Sequence, residues 1–377
     1  MPSFEQQRAR LVAEMERCGQ WPERSPWIRQ AVEALPRHHF APGRLWVWDG
    51  FAYVPLDREK DEQRWAEEVY GGPYDPAVTQ VTGGVPSSSL SCCAVVADML
   101  DSLLLEEGHT VLELGTATGW NAALLAHRAG PGRVTSLELD PQLAGAARKN
   151  LAAAGIQAGV AVADGDQGWP AGAPFDRLMA TYAVETVPWA WVAQVRPGGR
   201  IVTPWGRLGC VALTVADDGT SAQGWVQGLA QFMPGRTALT SPRTFEQTRG
   251  ARTPERQYAM KRDVRPLHED AHLRFALRVA LPEIHLHTVA AEDGLEVQLH
   301  DGDGSWAVIE VPDGETAVAR EAGGRALADA VERAWDEWIA HGRPDLYDYG
   351  LTVTDGGHRQ YAWAWDPASG PRWPLPT

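Results

Sequence analysis

TVLELGTATGWNAALLAHRAGPGRVTSLELD, residues 110–140, joins an apolar run, a glycine turn, an amphipathic stretch and a second apolar run without a break. Val111-Leu112-Glu113-Leu114 has the make-up of a strand buried on both faces. Gly115-Thr116-Ala117-Thr118-Gly119 follows as a tight turn, where glycine lets the backbone pass close to a ligand. From Trp120 to Arg128 apolar residues return at helical spacing, with Ala122, Leu124 and Leu125 on one side. Val134 to Leu139 is the second apolar run, with Glu138 near its end. Strand, glycine turn, helix, strand and terminal acid make one half of a doubly wound nucleotide-binding sheet. Glu138 stands where a carboxylate accepts hydrogen bonds from both hydroxyls of a ribose. The alternative at this point is an ordinary βαβ unit with no ligand.

Length and charge bound the rest. A chain of 377 residues suggests two domains, or three small ones, with ample core. A net charge of −15 argues against nucleic acid as a partner, because phosphate binding needs a basic face. No apolar run approaches the length of a membrane span, and the first residues form a charged amphipathic pattern rather than a signal peptide. The four cysteines include the adjacent pair Cys92-Cys93 and lack metal-like spacing, which suits a reduced cytoplasmic setting.

Residues 1–80 read as an N-terminal elaboration of the catalytic domain. Phe4 to Cys18 predicts a helix, and Pro26 to Leu35 a second one capped by Ser25. Trp46, Trp48, Phe51, Tyr53 and Trp65 then crowd one segment, as core or domain-junction packing or, alternatively, as a substrate groove. The Gly, Pro and Ser cluster from Gln80 predicts a loop, followed by a helix over Ala94 to Leu105 with Ser91 as its N-cap. Residues 81–230 form the core and 231–377 a C-terminal domain. In the latter, strands are expected over Ile284–Val289, Leu295–Leu299 and Trp306–Val311. A helix from Arg325 to Ala340 and a hairpin around Asp355-Gly356-Gly357 follow. Arg243, Arg249, Arg252, Arg256, Lys261, Arg262 and Arg265 make a local positive patch or a solvated loop.

The pattern Glu113-x-Gly115-x-Ala117-x-Gly119, with Glu138 ending the next strand, resembles the class I S-adenosyl-L-methionine methyltransferases. Ala117 stands where that family usually has its middle glycine. Further along, Asp164-Gly165, Gly168-Trp169-Pro170 and Ala173-Pro174-Phe175-Asp176 resemble the protein L-isoaspartate O-methyltransferases, as does the turn Val195-Arg196-Pro197-Gly198-Gly199. The matches span about residues 36 to 216. The resemblance implies a Rossmann-like α/β fold with a smaller α+β C-terminal domain, and S-adenosyl-L-methionine as cofactor. It implies a cofactor site of Glu113, Gly115, Thr116, Ala117, Gly119, Glu138, Leu139, Asp164, Gly165 and Thr181, with Asp164 against the adenine. Taken alone, Asp164-Gly165 is also an ordinary turn. The family carries Ser-x-Pro before the glycine-loop strand, where the Ser touches the substrate carboxyl. Counting back from Val111 without gaps places Ser91 there, with the Pro missing, and a one-turn slip nominates Ser89 or Ser88.

Trp338, Gly342 and Pro344 form a W-x-x-x-G-x-P signature. It looks like the C-terminal domain of methyltransferases tied to ribosomally made, modified peptides such as lanthipeptides, lasso peptides and graspetides. That resemblance implies an Asp-containing precursor peptide as partner, an aspartimide product, and substrate contacts from Arg243, Arg249 and this signature. Locally, Gly342 and Pro344 also fit a plain helix stop. His268-Glu269-Asp270-Ala271-His272 has the spacing of a zinc protease helix but no convincing third ligand, and no metal is expected.

The chemistry needs little machinery. An Asp carboxyl, with a reference pKa of about 3.9, is already an anion at neutral pH, so methylation requires placement and dryness rather than a strong base. The expected activity is therefore O-methylation of an Asp carboxylate in a modified peptide. Isoaspartyl repair, another carboxyl acceptor, and a peptide-binding protein without catalysis are the alternatives. The sequence does not specify the oligomeric state.

Overall fold

The computed structural model describes residues 3–206, 208–236, 243–291, 294–312, 316–354, 356 and 358–375. The chain forms two compact units, Met1–Thr237 with Val353–His358, and Ala238–Thr352 with Arg359–Thr377.

The first unit opens with α1 (Phe4–Arg17), entered through a capping box between Ser3 and Gln6, and α2 (Trp27–Ala34). Ser25 does not cap α2 as expected. Its hydroxyl donates to Asp101 Oδ1 at 2.7 Å, while Pro26 occupies the cap. A four-stranded antiparallel sheet follows, built from β1 (Arg44–Trp48), β2 (Tyr53–Asp57), β3 (Ala77–Thr82) and β4 (Val85–Leu90) in the order β2-β1-β3-β4. Helix α3 (Glu62–Val69) lies between β2 and β3 in sequence. The stretch from Gln80, expected as a loop, is thus mostly strand. Gly83 and Gly84, both at positive φ, turn it into a hairpin. Helix α4 (Cys93–Ser102) starts after Cys92 with no side-chain cap, so Ser91 is not its N-cap.

The central strands are β5 (Val111–Leu114), β6 (Val134–Glu138), β7 (Gly159–Val162), β8 (Phe175–Ala180), β9 (Val195–Trp205), β10 (Gly209–Val215) and β11 (Ser221–Leu229). Their order is β11-β10-β9-β8-β5-β6-β7, parallel from β7 to β9 and antiparallel for the last two. All four residues of β5 are buried, as its unbroken apolar run requires of a central strand. Helices α5 (Trp120–Ala129), α6 (Pro141–Ala153) and α7 (Trp189–Gln194) connect and flank the sheet. The strand order reverses at β5, and ligands of such sheets bind in the crevice beyond the strand ends at that reversal.

The second unit contains α8 (Phe245–Arg249), α9 (Pro266–Glu269), α10 (Ala271–Ala280) and α11 (Leu327–Ala340). Its antiparallel sheet has the order β12-β16-β15-β14-β13, from β12 (Arg256–Ala259), β13 (His285–Ala291), β14 (Gly294–His300), β15 (Trp306–Pro312) and β16 (Val318–Ala322). Leu273, Leu277, Val331 and Trp335 of α10 and α11 bury against Val297, Leu299 and Ile309 of the sheet. β17 (Tyr349–Thr354) and β18 (Arg359–Ala364) follow, and β18 pairs with β19 (Arg372–Pro374). Asp355 and Gly357 of the expected hairpin turn lie outside the described residues. Among the described residues no helix is long and apolar enough to cross a membrane.

Candidate active site

The loop after β5 is shaped by its glycines and held by its neighbours. Gly115 has φ +91°, and a Cβ there would stand 2.4 Å from Thr181 Oγ1. That hydroxyl donates to the Gly115 carbonyl at 2.7 Å, so Thr181, at the end of β8, clasps the loop at the sheet reversal. Gly119 has φ +85° and opens α5, close against Ala147 of α6. Ala117 adopts φ +46°. A left-handed conformation costs a residue with a side chain roughly 1–2 kcal/mol, so the alanine strains the loop more than its small methyl suggests. Asn150 of α6 donates to the Thr118 carbonyl at 3.0 Å and to the Phe40 carbonyl at 3.1 Å, anchoring the far side of the turn.

The acids differ in task. Glu138 Oε2 accepts from Ala117 N–H at 2.9 Å and Oε1 from Asp140 N–H at 3.1 Å. A carboxylate has about four acceptor sites, so capacity for a diol remains. Glu113 lies fully buried beneath the loop, accepting from Asn121 Nδ2 at 2.7 Å and from the Ser136 hydroxyl. Burial pushes its carboxyl up to about 7, against the hydrogen bonds that pull it down. Thr116 is also buried, its hydroxyl 2.5 Å from Ser136 Oγ. Glu113 therefore supports the loop from below.

A cleft open to solvent lies over this loop. It gathers Gly115, Thr116, Ala117 and Thr181 with Ser89 and Ser91. Strand alternation sorts the serine run. Ser88 and Leu90 face the core while Ser89 reaches the cleft, and the buried Ser88 hydroxyl has no hydrogen-bond partner. Leu139, Asp164 and Gly165 sit at the ends of β6 and β7 rather than along this cleft. Ala163 N–H donates to the Glu138 carbonyl at 3.2 Å, which brings Asp164 next to the ribose candidate. Asp164 caps its own turn by accepting from Asp166 N–H at 3.0 Å, and Gly165 packs under the Tyr182 ring.

Several residues of the site escaped the sequence reading. Asn121 and Met179 line the cleft, in the first turn of α5 and near the end of β8. Phe232 lines it too, although the expected boundary at 231 assigned it to the other domain. Arg37 is fully buried and stacks over the Trp120 ring at 4.7 Å. It donates to the carbonyls of Ser91 at 2.7 Å, Val69 at 3.0 Å and Leu90 at 3.4 Å. Burial lowers its pKa, and among the described residues no carboxylate pairs with it. It fixes the serine segment against the helix that follows the glycine loop.

In the second unit the motif residues engage one another. His268 and His272 lie on separate helices, because Asp270 ends α9 and caps α10 through His272 and Leu273 N–H. His268 Nδ1 lies 2.8 Å from Thr288 Oγ1, while His272 Nδ1 accepts from Leu346 N–H at 3.1 Å. Among the described residues no three metal-ligating side chains gather. The Trp338 indole donates to the Pro344 carbonyl at 2.9 Å and Gly342 takes φ +86°, the geometry of a helix stop. Arg249 lies over the Trp306 ring at 4.9 Å, and Arg243 donates to the Asp303 carbonyl at 3.2 Å. Arg256 pairs with Glu321 and Arg262 with Asp336, so the positive patch is largely neutralised within the unit.

A doubly wound sheet, a glycine loop at the reversal and an acid with spare acceptors at the next strand end define a class I S-adenosyl-L-methionine-dependent methyltransferase. The residues are compatible with that cofactor: Glu138 has acceptor sites left over, and the loop backbone lies along the cleft. The family model of Protein-L-isoaspartate(D-aspartate) O-methyltransferase (PCMT) matches residues 7–224. The chain belongs to this family of protein carboxyl O-methyltransferases. A protein-L-isoaspartate O-methyltransferase from Methylorubrum extorquens is 36% identical over 183 residues, covering 48% of this chain and 67% of its own. The Methanopyrus kandleri protein of that name is 31% identical over 54% of this chain and 78% of its own. A solved protein-L-isoaspartate O-methyltransferase aligns over 92% of this chain and 96% of its own, with TM-score 0.53 and 21% identity, a likeness of fold alone.

Proposed function

We propose that the enzyme methylates the side-chain carboxylate of an Asp in a ribosomally made, modified precursor peptide, and that the ester closes to a succinimide. One observation carries the acceptor site: Ser89 and Ser91 line the same cleft as the glycine loop. Bound S-adenosyl-L-methionine supplies an electrophilic methyl group on a sulfonium. Glu138, Asp164 and the backbone of Gly115 to Gly119 hold its nucleoside and amino-acid ends. The hydroxyls of Ser89 and Ser91 orient the acceptor carboxylate, held in place by Arg37 through the Ser91 carbonyl. Met179 and Phe232 exclude water, which favours the meeting of a cation with an anion. After transfer, the amide nitrogen of the next residue attacks the ester carbonyl and methanol leaves, helped by five-membered proximity.

The second unit lies outside the matched residues 7–224. We assign it to holding the peptide away from the reacting acid. All four cysteines are unpaired, in keeping with a cytoplasmic enzyme. The names of the relatives favour a second reading, repair of isoaspartyl residues. Mass spectrometry separates the two. An Asp-containing cyclised peptide should gain one methyl group and then lose methanol, whereas methylation of isoaspartyl peptides alone overturns the proposal. Ser89→Ala and Ser91→Ala should each slow transfer about ten- to a hundredfold with cofactor affinity kept, by loss of a hydrogen bond to a charged group. Full activity in both variants would remove the serines from the mechanism.

A further inference from the structure

The sheet β2-β1-β3-β4 has two unlike faces. One is core: Leu45, Val47, Leu56, Ala77 and Leu90 are all buried. The other can be traced by register, since opposed residues of antiparallel strands share a face. Ser89 opposes Val78, and Val78 opposes Trp46, one row running outward from the cleft. Trp48, two residues beyond Trp46, shares that face and opposes Tyr53, with ring centroids 5.2 Å apart. Trp48 is 57% exposed, and Phe51 at the hairpin tip is 91% exposed. The tip is hydrogen-bonded within itself. Asp49 Oδ1 accepts from both Phe51 N–H and Ala52 N–H at 2.8 Å, holding Phe51 out in water. An aromatic strip therefore begins at a cleft-lining serine and continues across the sheet.

We propose that this strip carries the acceptor polypeptide, with the reacting acid at Ser89 and an apolar side chain of the same peptide on Trp46 and Trp48. The continuity with the cleft names the occupant. Strands lie about 4.8 Å apart, so β4 to β1 is about 10 Å, or roughly three residues of extended peptide at ~3.3 Å each. The strip selects by apolar contact: Arg44 and Asp57 at its end are paired with each other at 2.6 Å, and the Asp49 carboxylate is taken up by the Phe51 and Ala52 amides. Rigid aromatic surface is well suited to such contacts, and contiguous exposed apolar strips mark interaction sites. The inference rests on a carboxyl of a peptide as acceptor, whichever kind of aspartyl residue bears it.

The test uses fluorescence anisotropy with the full chain and labelled twelve-residue peptides in Asp and isoaspartyl forms. Each carries Leu or Ser three or four residues from the acid, on either side. At least one acid form should bind about tenfold more tightly with Leu than with Ser at one of those positions. The variant Trp48→Ser/Phe51→Ser, both exposed and outside the cleft, should bring the two peptides level with cofactor affinity unchanged. A flat Leu-to-Ser ratio in the wild type, a ratio that survives the double substitution, or no binding of any peptide overturns the proposal. So does a wild-type self-dimer, seen by sedimentation, that the double substitution dissolves. Which acid form binds decides between the Asp and isoaspartyl readings separately.

Discussion

The turn at Gly115 to Gly119 and the turn at Trp338 to Pro344 both end an apolar element with a left-handed glycine, yet they differ in what is left over. At the first, Thr181, Asn121 and Asn150 hold the backbone and the Glu113 carboxyl from behind, and a carboxylate at Glu138 keeps acceptor capacity to spare. At the second, the indole of Trp338 and the carbonyl of Pro344 satisfy each other, and the Trp365 indole donates to His341. A motif points to a ligand when its polar groups are positioned by others and still unfinished. When they complete one another, the motif is architecture.

Substitution can break that contrast. Gly115→Ala should destabilise most, by about 3 kcal/mol, because a left-handed backbone and a collision with Thr181 act together. Urea unfolding measures it, and Thr181→Ala should recover part of the loss. Glu113 should make stability depend on pH. Its carboxyl, near 4.5 when unfolded and about 7 when folded, binds more protons in the folded state between those values. Its contribution is thus complete below 4.5 and lost as pH rises through about 7, a change on the order of 3 kcal/mol that Glu113→Gln should flatten. Glu138→Ala should weaken cofactor binding about tenfold, or ~1.4 kcal/mol by calorimetry. Gly342→Ala should cost only about 1 kcal/mol from its backbone alone, with peptide affinity untouched. A large effect of Gly342→Ala on peptide binding would reverse the distinction drawn between the two turns.

The crossover from Val111 to Leu139 was legible because every signal in it is local: buried runs, glycines, helical period and a terminal acid. The serine strand was not. Serines and paired glycines favour turns, and what makes 85–90 a strand is its partner β3 together with Arg37, which reaches 54 residues along the chain to the Ser91 carbonyl. The two mistaken caps have one cause. Ser25 found Asp101 and Ser91 precedes an uncapped helix start, choices made by tertiary neighbours. Phe232 was missed because the boundary was drawn where the family resemblance stops, while the chain still runs along the cleft there. The H-E-x-x-H spacing was real in sequence and failed in space because Asp270 begins a new helix between the histidines.

Ala117 has a consequence for how the enzyme handles its donor. An alanine holds φ +46° only against strain, so the loop keeps this shape because Glu138, Asn150 and Thr181 pin it before anything arrives. The entropy of shaping the cradle is then lost during folding, and the incoming nucleoside meets a seat already cut to form.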